Sequence, residues 1–288
     1  MKYAIVVNPV SGLTTPEQKR SALAPASAVL DAEIHGLDTT SPEELRQCAR
    51  ELSGQCDVLV VAGGDGSLSD IINAIDTAEI PTAYLPLGTG NAMGYALGYE
   101  GSLVDIAKRI RDGSIHQYDL IDCDNKRRAF TASLGIAGAI IRKRDRYLKK
   151  GITGFRAYLM ATIQAYFTEY RRRPAEIILD DTSLKIDDLL ILMVVKQPYF
   201  GFRMNVIPHA RFDDGLLHVQ YINSSLISAA FAALSAFTIG NRVGKYHTAE
   251  KVRFTADHPL PLQIDGNDAW DAKNVFFRVL PKALKIKC

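Results

Sequence analysis

Apolar and polar positions follow two different rhythms along this chain. Over the first 115 residues, short unbroken apolar runs alternate with stretches of helical periodicity. The runs at 3–7 (YAIVV), 32–37, 57–62 (DVLVVA) and 82–87 (TAYLPL) predict strands. The run at 57–62 is β-branched with no polar alternation, as a strand covered on both faces requires. Between the runs the pattern predicts helices over 16–30, 42–53, 65 to about 76, and 102–113. The helix at 42–53 is framed by Ser41 as N-cap, Pro42 at its first position, Glu44 to complete a capping box, and Gly54 beyond its end. Such alternation predicts a parallel sheet covered by helices, with its ligand crevice at the carboxyl ends of the strands.

From about residue 116 strand-like segments dominate, at 116–123, 127–134, 175–180, 189–195, 216–222, 250–256, 260–264 and 274–280. CDNKR and DDTS have hairpin-turn chemistry. Two helical stretches, about 153–170 and 224–239, interrupt the strands. The prediction is a mostly antiparallel second domain, 121–280, after an α/β domain at 1–120.

Composition changes this picture little. The chain has 288 residues, 47% of them hydrophobic and 23% charged, as in ordinary globular proteins. A net charge of +2 gives no argument for a nucleic-acid partner, although basic residues cluster at 142–150 (RKRDRYLKK) and 171–173. Four scattered cysteines without a C-x-x-C pair fit a reducing compartment, and the six histidines lack metal-ligand spacing. No signal peptide is evident, and the longest uncharged apolar stretch, 226–239, falls short of the ~20 residues that span a bilayer. The expected location is cytoplasmic, soluble or peripheral to a membrane.

The chemistry concentrates in three loops that follow first-half strands: NPVSG (8–12), GGDGS (63–67) and GTGN (88–91). Glycine leaves backbone amides unshielded, so successive N–H groups can converge on an anion, and a helix N-terminus behind each loop favours negative charge. Three tight βα turns would use the same residues. No G-x-x-x-x-G-K-[ST] P-loop is present, and GTGNAMG only approaches the dinucleotide fingerprint. Asp65, flanked by Gly64 and Gly66, is suited to a metal–phosphate or to a substrate hydroxyl; capping the following helix is the structural alternative.

NPVSG, GGDGSLSDIINAI and LPLGTGNAMG, in this order, resemble the diacylglycerol kinase catalytic-domain superfamily, which includes bacterial lipid kinases, sphingosine kinases and ceramide kinases. LKKGITGFRAYLMATI, PYFGFRMNVIPHARFDDGLLHV and PLPLQIDGN extend the likeness through the second half. The resemblance implies a nucleotide-binding α/β domain and a β-sandwich domain of the NAD kinase/diacylglycerol kinase type, with residues 281–288 returning to the first. It implies ATP and Mg²⁺ as cofactors and a lipid at the membrane surface as the acceptor; monomer or homodimer is left open. Carried over by position, Asn8, Pro9, Ser11, Gly12, Thr39 and Thr40 contact ATP. Gly63, Gly64, Gly66 and Ser67 hold its phosphates, and Gly88, Thr89, Gly90 and Asn91 complete the pocket. Asp65 is the central carboxylate. Asp214 and the carbonyls of Arg211 and Leu216 match a structural Mg²⁺ site.

The chain departs from the family where a late Asp-Gly-Glu supplies a proposed base. It has Asp265, Gly266 and Asn267, so the role passes to the neighbouring Asp268 or is empty. Asn91-Ala92 makes GTGNAM closer to sphingosine kinases, and Asp70 stands where a Glu is usual. The expected activity is phosphorylation of a lipid hydroxyl, of diacylglycerol, sphingosine or ceramide. The alternatives are a silent nucleotide- or lipid-binding homologue and a kinase acting on a soluble substrate such as NAD. For the uncharged helix at 224–239 the readings are a buried helix or an acyl-chain gate, and for 142–150 a solvated loop or a headgroup contact.

Overall fold

The computed structural model describes residues 1–12, 14–169, 173–223 and 226–288. Arg171 and Arg172 of the basic cluster, and the first two positions of the predicted 224–239 helix, lie outside the described residues. The chain divides into two compact units, Met1–Asp119 with Pro281–Cys288, and Leu120–Leu280.

The first unit runs β1 (Tyr3–Val7), α1 (Pro16–Leu30), β2 (Glu33–His35), α2 (Pro42–Ser53), β3 (Val58–Gly63), α3 (Asp65–Ile72), β4 (Thr82–Pro86), α4 (Ala92–Ala96) and α5 (Leu103–Asp112). Its strands lie in the order β2-β1-β3-β4, all parallel. Every residue of β1 and β3 is buried, which is why their sequences show no alternation. Ile5, Leu59 and Val60 are fully excluded from water, each contributing about 1.5–3 kcal/mol of burial free energy. The carboxyl end of the chain adds a parallel pairing, Ile286 opposite Thr82, while Thr77 and Thr82 donate their hydroxyls to the Ala283 and Lys285 carbonyls.

Helix ends follow local chemistry. Ser41 caps α2 by accepting from the Glu44 amide, but the Glu44 carboxylate bonds the amide and hydroxyl of Thr40, so the expected capping box is displaced by one residue. Two donors at Thr40 outcompete the single Ser41 amide.

Through β5 (Ile115–Cys123) the chain enters the second unit, made of β6 (Arg127–Ala129), β7 (Thr131–Gly135), α6 (Ile136–Leu148), α7 (Gly154–Glu169), β8 (Ala175–Leu179), β9 (Thr182–Ile186), β10 (Leu189–Val195), β11 (Tyr199–Phe200), β12 (Met204–Asn205), β13 (Leu217–Asn223), α8 (Leu226–Thr238), β14 (Lys245–Ala249), β15 (Lys251–Ile264) and β16 (Asn267–Lys287), whose last residues rejoin the first unit. It is an antiparallel β-sandwich. β14-β13-β10-β7-β15 form one run, and β15 also pairs with β16 and with the β8–β9 hairpin. Inward residues such as Ile177, Leu192, Val219, Phe254 and Phe277 form its core.

The two predicted strands at 250–256 and 260–264 are one strand. Its pairing is broken over the exposed Asp257–Pro259, where Pro259 has no amide to give to the ladder. Before the break it pairs with β8, and after it with β7. The basic run at 142–150 is also not a solvated loop. Most of it is the end of α6, which continues directly from β7 at Gly135 (φ +86°). A Cβ on Gly138 would sit 2.1 Å from the Pro261 carbonyl oxygen, so α6 lies flush on β15. Arg142 and Arg144 are drawn into side-chain pairs, leaving Arg146, Lys149 and Lys150 exposed.

Candidate nucleotide and phosphate site

At the carboxyl ends of β1, β3 and β4 the three glycine loops are fastened to one another. Loop one meets loop two through the Asn8 side-chain amide, which donates to Ser67 Oγ at 2.9 Å. Asn8 also shapes its own loop: its Oδ1 accepts the Val10 amide, and its carbonyl accepts the Ser11 hydroxyl. Loop one meets loop three at Gly12 (φ +69°), where a Cβ would lie 2.6 Å from the Leu87 carbonyl oxygen. Loops two and three touch at Gly64 and Gly88; a Cβ on Gly88 would stand 2.4 Å from Gly64 Cα. Asn91, itself left-handed (φ 49°), closes loop three by accepting the Gly88 amide and donating to its carbonyl.

Asp65 stands where loops two and three meet. It is the first residue of α3, yet its carboxylate caps α4: Oδ2 accepts the Ala92 amide and Oδ1 the Met93 amide, both at 2.9 Å. Thus the capping alternative is realised on a different helix from the one its sequence position suggests. Burial pushes the Asp65 carboxyl up from its ordinary range, and the amides of Met93 and Ala92 pull it part of the way back.

The remaining predicted residues differ in what they have to offer. Pro9, Gly63, Gly66 and Gly90 lie on these loops, and Ser67 is buried with its hydroxyl on Asn8. Among the described residues, the exposed Thr89 has no side-chain hydrogen bond of its own. Thr39 and Thr40 are engaged by local partners: the Thr39 hydroxyl donates to the Gly36 carbonyl and the Thr40 hydroxyl to Glu44.

Sequence reasoning misses Lys19. Almost fully buried in the first turns of α1, it donates its ammonium to the Asn8 and Pro9 carbonyls, and among the described residues no carboxylate pairs with it. Burial lowers its pKa. The available signal was its position: a lysine near a helix N-terminus opposes the macrodipole and calls for a local reason.

Asp268 lies in the second unit and is held by Arg142, whose Nε and Nη2 both reach its carboxylate at 2.9–3.2 Å; Arg142 also pairs with Asp271 at 2.8 Å. The neighbouring Asp265 is buried, accepting the Phe130 and Thr131 amides on one oxygen. Both carboxylates therefore brace the β6–β7 and α6 surroundings. Arg144 joins them, donating to the Gly266 carbonyl and stacking over Tyr158.

Two of the three predicted magnesium ligands are already engaged by a lysine. The Asp214 carboxylate and the Leu216 carbonyl both accept from the ammonium of Lys196, and the Arg211 amide donates to His218. Among the described residues no group of three His, Cys, Asp or Glu side chains is placed to hold an ion.

Comparison with known proteins agrees with this architecture. Residues 2–123 match the family model of the diacylglycerol kinase catalytic domain, and residues 132–288 that of the YegS C-terminal NAD kinase beta sandwich-like domain. A Shewanella frigidimarina protein named as a YegS-like lipid kinase is 24% identical over 254 residues, covering 85% of this chain and 81% of its own. A solved diacylglycerol kinase from Bacillus anthracis superposes with a TM-score of 0.79 at 19% identity, covering 99% of this chain and 96% of that one. An NAD kinase from Archaeoglobus fulgidus, solved in complex with ATP, gives a TM-score of 0.53 at 13% identity, covering 100% of this chain and 94% of that one. With glycine loops in the first half and this sandwich in the second, the chain belongs to the diacylglycerol kinase catalytic-domain superfamily of kinases, with a YegS-type C-terminal domain.

Proposed function

We propose that the protein transfers the γ-phosphate of Mg·ATP to the hydroxyl of a lipid such as diacylglycerol, sphingosine or ceramide. The observation that carries this reading is the mutual fastening of three glycine loops around a carboxylate whose basicity is raised by burial. Bound Mg·ATP supplies the transferable phosphoryl group together with the divalent charge that neutralises it. Asn8 to Gly12, Gly63 to Ser67 and Gly88 to Asn91 would hold it, because their glycines leave the amides unshielded by side chains. Lys19 adds a positive charge beneath the first loop, and among the described residues the Thr89 hydroxyl has no competing partner. Asp65 would orient the acceptor hydroxyl and take its proton as the new O–P bond forms and the bond from the γ-phosphorus to the bridging oxygen breaks, with ADP leaving.

Asp268 does not take that role in this reading. Both of its oxygens already accept hydrogen bonds from Arg142. The amide of Asn267 cannot accept a proton.

For the lipid and the membrane, the relevant surface is on α7 and α8. Phe155, Leu159, Ile163 and Phe167 recur every four residues on α7 and are exposed, Phe167 by 81%, while Ala157, Ala161 and Ala165 form its buried side. Phe231, Leu234 and Phe237 are exposed on α8, so that helix is not the buried element its composition allows. Phe155 contacts the Phe237 ring edge-on, with centroids 6.3 Å apart. Exposed Arg146, Lys149 and Lys150 lie just ahead of α7, each able to contribute about 1 kcal/mol at an anionic bilayer. Among the described residues no helix is long and apolar enough to cross a membrane. We therefore assign a peripheral contact to this face.

The test is transfer of labelled γ-phosphate from Mg·ATP to micellar sphingosine, ceramide, diacylglycerol and monoacylglycerol, with NAD as the soluble competitor and Asp65→Asn alongside. A labelled lipid that disappears in the variant supports the reading and names the acceptor. Labelled NAD, or ATP binding without transfer to any acceptor, would overturn it.

A further inference from the structure

The carboxylate expected to hold a structural divalent ion already has a cation of its own. Lys196 directly follows β10, is fully buried, and donates its amide to the Phe130 carbonyl. Its Nζ lies 2.7 Å from Asp214 Oδ1 and 2.7 Å from the Leu216 carbonyl oxygen. Asp214 Oδ1 also accepts the Leu216 amide at 3.2 Å, closing a turn around the ammonium. On the other side, Asp214 Oδ2 is 3.0 Å from His218 Nε2, and His218 Nδ1 is 2.8 Å from the Tyr246 hydroxyl. Two of the three ligands assigned to a metal by resemblance thus belong to the lysine.

Magnesium asks for about six oxygens in octahedral array at ~2.0–2.1 Å and keeps several waters. Here the oxygens stand at hydrogen-bond distance from a tetrahedral ammonium, and that positive charge opposes entry of a second cation. A lysine ammonium is also covalently tethered, so it is present whatever the ion concentration.

We propose that Lys196 is the resident cation of this site: its ammonium stands in for the structural divalent ion, and the second unit folds and stays folded without metal. The inference about the fold does not depend on phosphotransfer, and its test contains no nucleotide.

The experiment is thermal unfolding of the full chain, followed in EDTA and in saturating MgCl₂, MnCl₂ or CaCl₂. Wild-type protein is expected to unfold at the same temperature in all four. Lys196→Ala removes the ammonium and leaves Asp214 uncompensated. It is expected to unfold earlier and to regain about 5–10 °C when a divalent ion is present at a hundredfold excess over its dissociation constant. Adding Asp214→Asn to Lys196→Ala should abolish that gain. A wild-type midpoint that falls in EDTA overturns the proposal, as does a folded Lys196→Ala protein that responds to none of the three ions. Should Lys196→Ala fail to fold, metal analysis of the purified wild type decides: a stoichiometric divalent ion lost in Asp214→Asn refutes the proposal, and its absence supports it.

Discussion

Substituting Gly88 by alanine tests the fastening of the loops with a single carbon atom. Its Cβ would lie 2.4 Å from Gly64 Cα, 2.9 Å from Asn91 Oδ1 and 3.2 Å from Gly64 N. Non-bonded carbons rest about 3.5–4.0 Å apart, so loops two and three must separate by roughly 1 Å. Neither neighbour gives easily: Gly64 is the N-cap of α3, and Asn91 Oδ1 is bound to the Gly88 amide and the Tyr84 hydroxyl. Overpacking of this kind costs about 1–3 kcal/mol. Because Gly88 is not in the left-handed region, alanine also lowers the entropy of the unfolded chain, offsetting about 0.4–1 kcal/mol. The net expectation is a loss of about 1–2 kcal/mol. Separating the loops also shifts the Ala92 and Met93 amides that hold Asp65, so nucleotide affinity should fall about tenfold, equivalent to 1.4 kcal/mol. Urea unfolding by circular dichroism reads the stability and calorimetric titration reads the nucleotide. Gly54→Ala is the control, since its nearest contact would be a 3.8 Å approach to the Glu51 carbonyl oxygen; no loss is expected. Gly88→Ala protein with wild-type stability and wild-type nucleotide affinity would refute the close approach and the phosphate site built on it.

Asp65→Asn should lower kcat by about 10²–10⁴ while changing nucleotide affinity far less, and a larger effect on affinity than on kcat would remove Asp65 from the proton transfer. Because burial raises the Asp65 carboxyl, the acid limb of kcat/KM should lie above the ordinary carboxylate range and vanish in the variant. The same raised value means that Asp65 favours folding most at low pH, and that this contribution is lost as pH rises through its folded pKa; denaturation midpoints of wild type and variant should converge or cross accordingly. Asp268→Asn, which frees Arg142 from a half-exposed pair, should cost about 0–1 kcal/mol of stability and leave transfer within about threefold; a hundredfold loss of transfer would return the base role to Asp268. Phe167→Asp with Leu234→Asp should abolish co-sedimentation with anionic vesicles, which in the wild type should also weaken with salt; unchanged pelleting would exclude this face as the contact.

What the sequence revealed, and what it concealed, follows from the range of the interactions. Strand β3 and the helix after it are visible because complete burial and glycine punctuation leave a local signature in VLVVAGGDG. Helix α6 escapes notice because it starts without a polar cap, directly from β7 at Gly135. Its flat approach to Pro261 is a contact over more than a hundred residues, and no local period records it. The same reason explains the joining of 250–256 with 260–264: Pro259 reads as a break, but β7 and β8 each hold one half of the strand, and the break survives only as a change of partners.

The site divides along the same line. Glycine and hydroxyl residues at strand ends mark the three loops, but which side chain fastens which loop depends on Asn8 reaching Ser67 and on Asp65 reaching Ala92 and Met93, contacts spanning 59, 27 and 28 residues. The buried cations are hidden most completely. Lys19 and Lys196 look like ordinary lysines in sequence, since a charged residue is almost always solvated unless paired. In the fold, each ammonium is turned onto carbonyl oxygens of an irregular loop, at Asn8 and Pro9 in one unit and at Leu216 in the other. Both loops are segments that the resemblance reserves for an anion or a metal. A chain that supplies its own cation at each place fixes the loop before any ligand arrives. The binding free energy of that ligand then goes less into ordering the backbone and more into the contacts it makes.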